Sequence, residues 1–197
     1  MIYEIDNELY IKYKEFENYS KSQASAYLKW YLSIKEKRIM YLNDYIIKDT
    51  KQDGFLDFSE ESLIKLWEWF QSKIFVVKRD DSEISSMKDM VPDIFKECIE
   101  KNHLLKLAQS TVDIIQDISI YYGEFFCVNN PNCHWDFFST PHNRMSLNTP
   151  VIQGFKNKKA ALDTRLVINN LAKKSVKETD SLRLYNNYIV WKKALKV

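Results

Sequence analysis

Apolar residues recur at helical spacing along the first fifty residues of the chain. Residues 7–48 carry two adjacent apolar stripes: Tyr27, Trp30, Tyr31, Ile34, Tyr41 and Tyr45 form one, and Leu28, Leu32, Ile39, Leu42 and Ile46 form the other. So broad an apolar face is typical of a helix that packs on more than one side. The polar residues between Ser20 and Ser22 predict a break in this helix.

The clearest amphipathic helix follows a turn signal at Asp53 and Gly54. Residues 55–58 predict a short strand or an extended entry, and Ser59 is well placed to cap the helix that follows. The carboxylates of Glu60 and Glu61 in its first turn complement the helix dipole. Its apolar face comprises Leu63, Leu66, Trp67, Phe70 and Ile74.

The middle of the chain predicts a loop and then two further helices. Residues 78–90 are polar and aperiodic, which indicates a surface loop. Pro92 suits the first turn of a helix that carries Ile94, Phe95, Cys98 and Ile99. Residues 104–126 predict a central helix that is apolar on most sides, and Gly123 within it indicates a close packing contact.

The spacing of apolar residues changes after Asn129, Asn130 and Pro131, and we expect these three residues to end the central helix. Alternation around Trp135 and extended character at Val151 and Ile152 predict a small β element. Two basic helices close the chain; one carries Leu162, Ile168 and Leu171, and the other carries Leu184, Tyr188, Trp191 and Leu195.

These elements predict the α+β class: a mainly α-helical single domain with a small antiparallel β-sheet. The domain covers residues 1–197 and comprises N-terminal helices (1–50), a central α+β part (51–155) and basic C-terminal helices (156–197). Hydrophobic residues make up 45% of the chain and aromatic residues 14%, which is ample material for a buried core.

Composition also narrows the possible chemistry. With only three glycines the chain contains neither GxGxxG nor a P-loop motif, so an ordinary nucleotide enzyme is not expected. The N-terminus does not resemble a secretory signal, and no apolar run is long enough to cross a bilayer. Three cysteines without an export signal indicate free thiols in the cytoplasm. No cofactor and no membrane association are expected.

The charge distribution leaves nucleic-acid binding open as an alternative. Residues 156–197 hold eleven Lys and Arg against three Asp and Glu, whereas the rest of the chain is acidic. The residues that would contact phosphates are Lys156, Lys158, Lys159, Arg165, Lys173, Lys174 and Lys177. Few aromatic residues are interleaved with these lysines, so a solvated helix face is the preferred interpretation.

Residues 120–144 contain the only cluster that suggests a metal or catalytic site. Its candidate ligands are Cys127, Cys133, His134 and His142, whose spacing is poor for tetrahedral zinc. Cys133 beside His134 is also the best candidate for a thiol nucleophile, although no signature of a cysteine hydrolase is present. Packing explains most of the stretch without a reaction, and Glu124 would be paired with Arg144 or Arg165 if it is buried.

Two segments carry a resemblance to a known group of proteins. LDFSEESLIKLWEWF (residues 56–70) and YYGEFFCVNNPNCHWDF (residues 121–137) resemble small uncharacterised bacterial proteins related to the immunity proteins of polymorphic toxin systems. The first segment carries it through Leu56, Asp57, Ser59, Ser62, Leu63, Leu66 and Trp69, and the second through Tyr121, Gly123, Glu124, Asn129, Asn130, Pro131 and Trp135. The resemblance implies a cytoplasmic, non-enzymatic protein that binds a protein partner, such as a cognate toxin.

An exposed aromatic and acidic surface would bind that partner. The candidate residues are Glu60, Glu61, Glu68, Trp69, Glu124, Asn129, Asn130 and Trp135. For Trp69, which lies off the main apolar stripe of its helix, a second packing face inside the domain is the alternative.

Overall fold

The chain folds mainly into helices, with two short antiparallel pairs of strands. The computed structural model describes residues 3–5, 7–10, 13–102, 104–140 and 146–195. After a short 3-10 helix (Asn7–Tyr10), the helices are α1 (Tyr13–Phe16), α2 (Lys21–Thr50), α3 (Glu60–Gln71), α4 (Asp81–Asp89), α5 (Asp93–Asn102), α6 (Gln109–Asn129), α7 (Thr164–Ser175) and α8 (Arg183–Lys192). The strands are β1 (Val76–Lys78), β2 (Leu105–Leu107), β3 (His134–Asp136) and β4 (Val151–Gln153). The predicted fold class is confirmed.

Helix α6 lies at the centre of the molecule. It is buried along almost its whole length and packs against α2 and α7, while α3 packs against α8. Around its C-terminal half the rings of Phe125, Phe126 and Tyr188 pack edge to face, with centroids 4.9 to 6.1 Å apart. An apolar helix surrounded on several sides is what its sequence predicts.

Local sequence explains where the long helix α2 begins. The Ser20 hydroxyl accepts a hydrogen bond from the Gln23 amide at 3.2 Å, and the Gln23 side chain accepts one from the Ser20 amide at 2.8 Å. This reciprocal capping box satisfies two backbone donors at the start of the helix. The break predicted between Ser20 and Ser22 is therefore confirmed.

The predicted surface loop over residues 78–90 is wrong, because most of that segment forms helix α4. Its start is fixed by a second capping box, in which the Asp80 carboxylate accepts a hydrogen bond from the Glu83 amide at 2.8 Å. The helix has no buried side chain, so it lacks the apolar stripe that signals a helix in sequence.

The β structure also differs in part from the prediction. β3 and β4 pair as expected, with Trp135 opposite Ile152. β1 and β2 form a second antiparallel pair, with Val77 opposite Lys106. The second pair takes residues 105–107 from the predicted central helix, which begins only at Gln109, and residues 55–58 form no strand.

A buried ion pair connects α2, α6 and the N-terminal segment. Arg38 of α2 is 5% exposed and Asp117 of α6 is completely buried. The Nε of Arg38 donates to Asp117 Oδ1 at 2.8 Å, and Nη2 donates to the Glu4 carbonyl at 2.9 Å. The Tyr3 hydroxyl donates to the same carboxylate. This network fastens residues 3–5 to the centre of the helical bundle.

Candidate functional site

Trp135 and Glu124, both candidates for partner binding, belong to the packed interior. The Trp135 ring lies against Gly123 so closely that a Cβ on that glycine would be 2.1 Å from Cζ2. Trp135 Nε1 donates to Glu124 Oε2 at 3.2 Å, and Lys35 Nζ donates to Oε1 at 2.7 Å. The close contact predicted for Gly123 is therefore confirmed.

Glu124 pairs with Lys35 of α2. The pairing of Glu124 with Arg165 that the sequence suggested is therefore wrong. The guanidinium of Arg165 lies over the ring of Phe16, 5.6 Å from its centroid. Arg144, the other suggested partner, lies outside the described residues. Because Lys35 is remote in sequence, only the packing of α2 on α6 brings the two charges together.

Asn129 and Asn130 hold the C-terminal end of α6. The Asn129 side chain donates to the carbonyls of Phe125 and Phe58, both at 2.9 Å. The Asn130 side chain donates to the Phe126 carbonyl at 3.3 Å. Both side-chain amides are therefore engaged in the fold, and that of Asn129 also joins α6 to the residues before α3.

The two segments that carry the resemblance meet at Phe58. This residue has a φ of 59°, a left-handed conformation that is unusual for a bulky side chain. Its amide donates to the Tyr121 hydroxyl at 3.0 Å, and its ring stacks on Tyr121 with centroids 5.0 Å apart. Ser62 shares a hydrogen bond with the same hydroxyl, and Asn129 binds the Phe58 carbonyl. The two segments therefore pack together and connect the start of α3 to α6.

The thiols of residues 120–144 lie in surroundings that suppress thiolate formation. Burial raises the pKa of Cys127 to about 12 and also raises the pKa of Cys133, which is 5% exposed. Reactive cysteines need the opposite shift. His134 is exposed and its Nδ1 lies 3.1 Å from the Asn132 carbonyl, while His142 lies outside the described residues. Among the residues that the structure describes, no three His, Cys, Asp or Glu side chains are grouped to hold a metal.

Thiol titration of the native protein should therefore identify Cys98 as the reactive cysteine. Cys98 is exposed on α5, whereas Cys127 is half-buried and Cys133 is buried. We expect one thiol per chain to react quickly with Ellman's reagent at pH 8, and the other two only in denaturant. Cys98→Ser should remove the fast reaction. Fast reaction of that variant, traced to Cys133, would revive the nucleophile hypothesis.

The predicted acidic and aromatic surface on α3 is largely engaged in internal contacts. Trp69 is 8% exposed, and its Nε1 donates to Asp49 Oδ2 at 3.0 Å, so its ring forms a second packing face. Glu60 pairs with Lys192 at 2.6 Å, joining α3 to α8. Glu61 and Glu68 are exposed.

Six of the seven basic side chains suggested for phosphate contact are solvated, and the seventh, Arg165, lies over the Phe16 ring. Lys156, Lys158, Lys159, Lys173, Lys174 and Lys177 are all exposed. Lys173 and Lys174 lie in the last turn of α7, where positive charge stabilises the helix through its dipole. Lys173 and Lys174 therefore have a structural role that needs no bound nucleic acid.

The exposed apolar residues are concentrated in a part of the chain that sequence reasoning passed over. We call residues 75–107 the β1–β2 extension; it comprises β1, α4, α5 and β2. Its exposed apolar side chains are Phe75 (57%), Val76 (38%), Val77 (43%), Met90 (72%), Ile94 (81%), Phe95 (56%), Leu104 (43%) and Leu105 (55%). Elsewhere in the described chain such residues occur singly or far apart in sequence. In the sequence, the apolar runs FVV at 75–77 and LL at 104–105 are the signal that could indicate this surface.

The β1–β2 extension is attached to the bundle at a narrow base. Within the described residues, β1 packs mainly on β2 and α4 mainly on α5. At the base, Thr111 Oγ1 donates to the Lys73 carbonyl at 2.8 Å and accepts from the Phe75 amide at 2.8 Å. A cleft of about 410 Å³ opens beside this base, and its walls include Tyr45, Lys73, Phe75 and Asp113. Its size lies in the range of ligand-binding clefts.

The fold and its surface thus define a mainly helical α+β protein with a projecting apolar extension. Comparison of the chain with models of protein families, with curated protein sequences and with solved structures found no match. None of the helices in the described part combines the length and apolarity that a membrane span requires.

Proposed function

We propose that this protein acts by binding another protein through the exposed apolar surface of the β1–β2 extension. The observation that carries the proposal is the exposure of Phe75, Ile94, Phe95 and Leu105, each more than half accessible, within one short segment. Clusters of exposed apolar side chains rimmed by polar residues mark interaction sites on soluble proteins, because their burial releases ordered water.

The backbone of the extension supports the same conclusion. β1 and β2 pair only with each other in the described chain, so each has an outer edge. An open strand edge offers unpaired amide and carbonyl groups to an extended segment of a partner. A partner that adds a strand would also cover neighbouring apolar side chains, such as Val76 and Leu105.

The finer part of the proposal is an immunity-type role in a bacterial cytoplasm, with a cognate toxin as the partner. Its support is the resemblance of residues 56–70 and 121–137. Because Trp69, Glu124 and Trp135 are engaged in packing, we assign toxin contact to the β1–β2 extension. Exposed Glu61 and Glu68 on α3 remain candidates for a secondary acidic contact.

A charge introduced into the apolar surface should weaken partner binding. We expect Leu105→Glu to raise the Kd at least tenfold, because burying an unpaired carboxylate in an apolar contact is costly. Binding is measured by calorimetry against the proteins encoded beside this one in its genome. The matched control is Val190→Glu on α8, an exposed apolar residue at 64% accessibility outside the β1–β2 extension, which should bind like the original protein.

Two outcomes would contradict this proposal. If Leu105→Glu and Val190→Glu bind the partner equally well, the β1–β2 extension is not the contact surface. If a neighbouring gene product is a toxin and co-expression of this protein leaves its toxicity unchanged, the immunity-type role is wrong.

A further inference from the structure

The hydrogen bonds between β1 and β2 identify the backbone groups that β1 presents at its outer edge. The Arg79 amide donates to the Leu104 carbonyl at 2.8 Å, which fixes the side of β1 that faces β2. Successive residues of an antiparallel strand direct their backbone groups to opposite sides. The amides and carbonyls of Val76 and Lys78 therefore point away from β2, toward the outer edge.

This edge of β1 is accessible, whereas the outer edge of β2 is partly covered. Val76 is 38% exposed and Lys78 is exposed as well. Neither residue bonds through its outward backbone groups to any other residue that the structure describes. The corresponding residues of β2 are Leu105 and Leu107, and Leu107 is buried at 8% exposure. An added strand would therefore pair with β1, where two amides and two carbonyls are open to it.

The side chains at this edge define the chemistry of the strand that fits it. Val76 and Lys78 are two residues apart, so their side chains project from the same face of β1. Leu105, which is 55% exposed, lies directly opposite Lys78 on that face. Cross-strand pairs are stabilised by apolar contact and by opposite charge. The best partner segment therefore carries an apolar residue and an acidic residue two positions apart.

A cleft next to the end of β1 extends the preference for acidic residues. Its volume is about 460 Å³, and its walls include the cations Lys78, Arg79 and Lys88 and one acid, Asp81. Glu83, which lies 3.7 Å from Arg79, is also bound by Lys106 at 2.6 Å. Carboxylates beside the paired part of a partner would thus enter surroundings of net positive charge, which attract them.

We propose that β1 accepts an extended acidic segment of a partner protein, which pairs with Val76 and Lys78 and places a carboxylate beside Lys78. This inference rests on the proposed function, because it names the kind of segment that the β1–β2 extension binds. A second copy of the chain fits less well, since pairing two β1 strands would bring the Lys78 and Arg79 side chains of both copies together. Lysine on an edge strand opposes such self-association.

The probe for this inference is a library of random short peptides displayed on phage and selected on the whole protein. We expect the selected peptides to share an Asp or Glu two positions from an apolar residue. Synthetic copies are then N-methylated at one or the other set of alternate amides. Binding measured by fluorescence anisotropy should be lost for one set and kept for the other, because only one set faces β1.

Two substitutions test the edge itself. Val76→Pro removes an outward amide that β2 does not use, so circular dichroism should show a folded protein. Its affinity for a selected peptide should fall about tenfold, the effect of losing one intermolecular hydrogen bond. Lys78→Glu should weaken binding of the acidic peptide and favour a copy with lysine in place of the acid. The matched control is Lys29→Glu, an equal change of charge at an exposed residue of α2, which should bind like the original protein.

Three results would overturn the inference. The first is a failure to select any peptide specific for this protein, and the second is a selected peptide whose affinity neither Val76→Pro nor Lys78→Glu changes. The third is a dimer in sedimentation that Val76→Pro abolishes, because a second copy would then occupy the edge.

Failure of the proposed function gives a different pattern. If Leu105→Glu removes binding and Val76→Pro does not, the apolar surface binds the partner and strand addition alone is wrong. If neither variant changes binding of a protein partner, the β1–β2 extension is not the contact surface, and the proposed function fails as well.

Discussion

Replacing Asp117 by alanine is expected to lower the free energy of unfolding by about 3–5 kcal/mol, the cost of removing one partner from a buried ion pair. Arg38 would keep its place in the interior, where it is 5% exposed and lies over the Tyr41 ring at 4.8 Å. Its charge would then lose the Asp117 carboxylate, and its hydrogen bond to the neutral Glu4 carbonyl does not replace that charge. The Tyr3 hydroxyl would lose its acceptor as well.

Urea unfolding followed by circular dichroism measures this loss. The double variant Arg38→Met with Asp117→Leu should recover most of the lost stability, since apolar residues of similar volume can replace a buried pair. Lys65→Ala, which breaks the exposed pair between Lys65 and Glu61, should leave the midpoint unchanged. If Asp117→Ala unfolded at the same urea concentration as Lys65→Ala, the pair would not be buried as described.

Gly123→Ala is expected to lower the free energy of unfolding by about 1–3 kcal/mol through overpacking. The new Cβ would lie 2.1 Å from Cζ2 and 2.3 Å from Cη2 of Trp135, so the indole must move. That movement disturbs its hydrogen bond to Glu124 and its edge contact with Tyr31 at 5.2 Å. Ordinary helix propensity would favour alanine by about 1 kcal/mol, so a loss of stability identifies the contact as the cause.

A second substitution at Trp135 separates this clash from other effects. Phenylalanine lacks the two atoms that the new Cβ would meet, so Trp135→Phe should make Gly123→Ala nearly harmless. The two changes together should therefore cost less than the sum of their separate effects in urea unfolding. Strict additivity would show that the glycine is needed for some other reason.

Much of the local structure could be predicted from sequence because its determinants lie close together along the chain. Ser59 caps α3, and its hydroxyl accepts from the Ser62 amide at 3.1 Å, three residues away. Asn129 and Pro131 mark the end of α6, and this signal also lies within a few residues of the helix end. Helix α4 also has a local start, in the capping box of Asp80 and Glu83, but it has no buried face, and hydrophobic periodicity therefore does not predict it.

The candidate site was less predictable because exposure depends on distant residues. Trp69 lies off the apolar stripe of α3, yet Tyr45 and Asp49 of α2 cover it. Phe75 and Leu105 are residue types that usually lie in a core, yet the narrow base of the β1–β2 extension leaves them accessible. Whether an apolar side chain forms core or surface is decided by what packs on it.

Sequence alone thus determined the mainly helical class, the starts of α2 and α3, the end of α6 and the close approach at Gly123. Each depends on capping, turn or steric preferences that act within a few residues or on a single backbone position. Tertiary structure alone decided the pairing of Glu124 with Lys35, the burial of Asp117 beside Arg38, and the pairing of β1 with β2. These contacts join residues far apart in the chain, and they exist because burial of the helix faces brings otherwise unrelated side chains together.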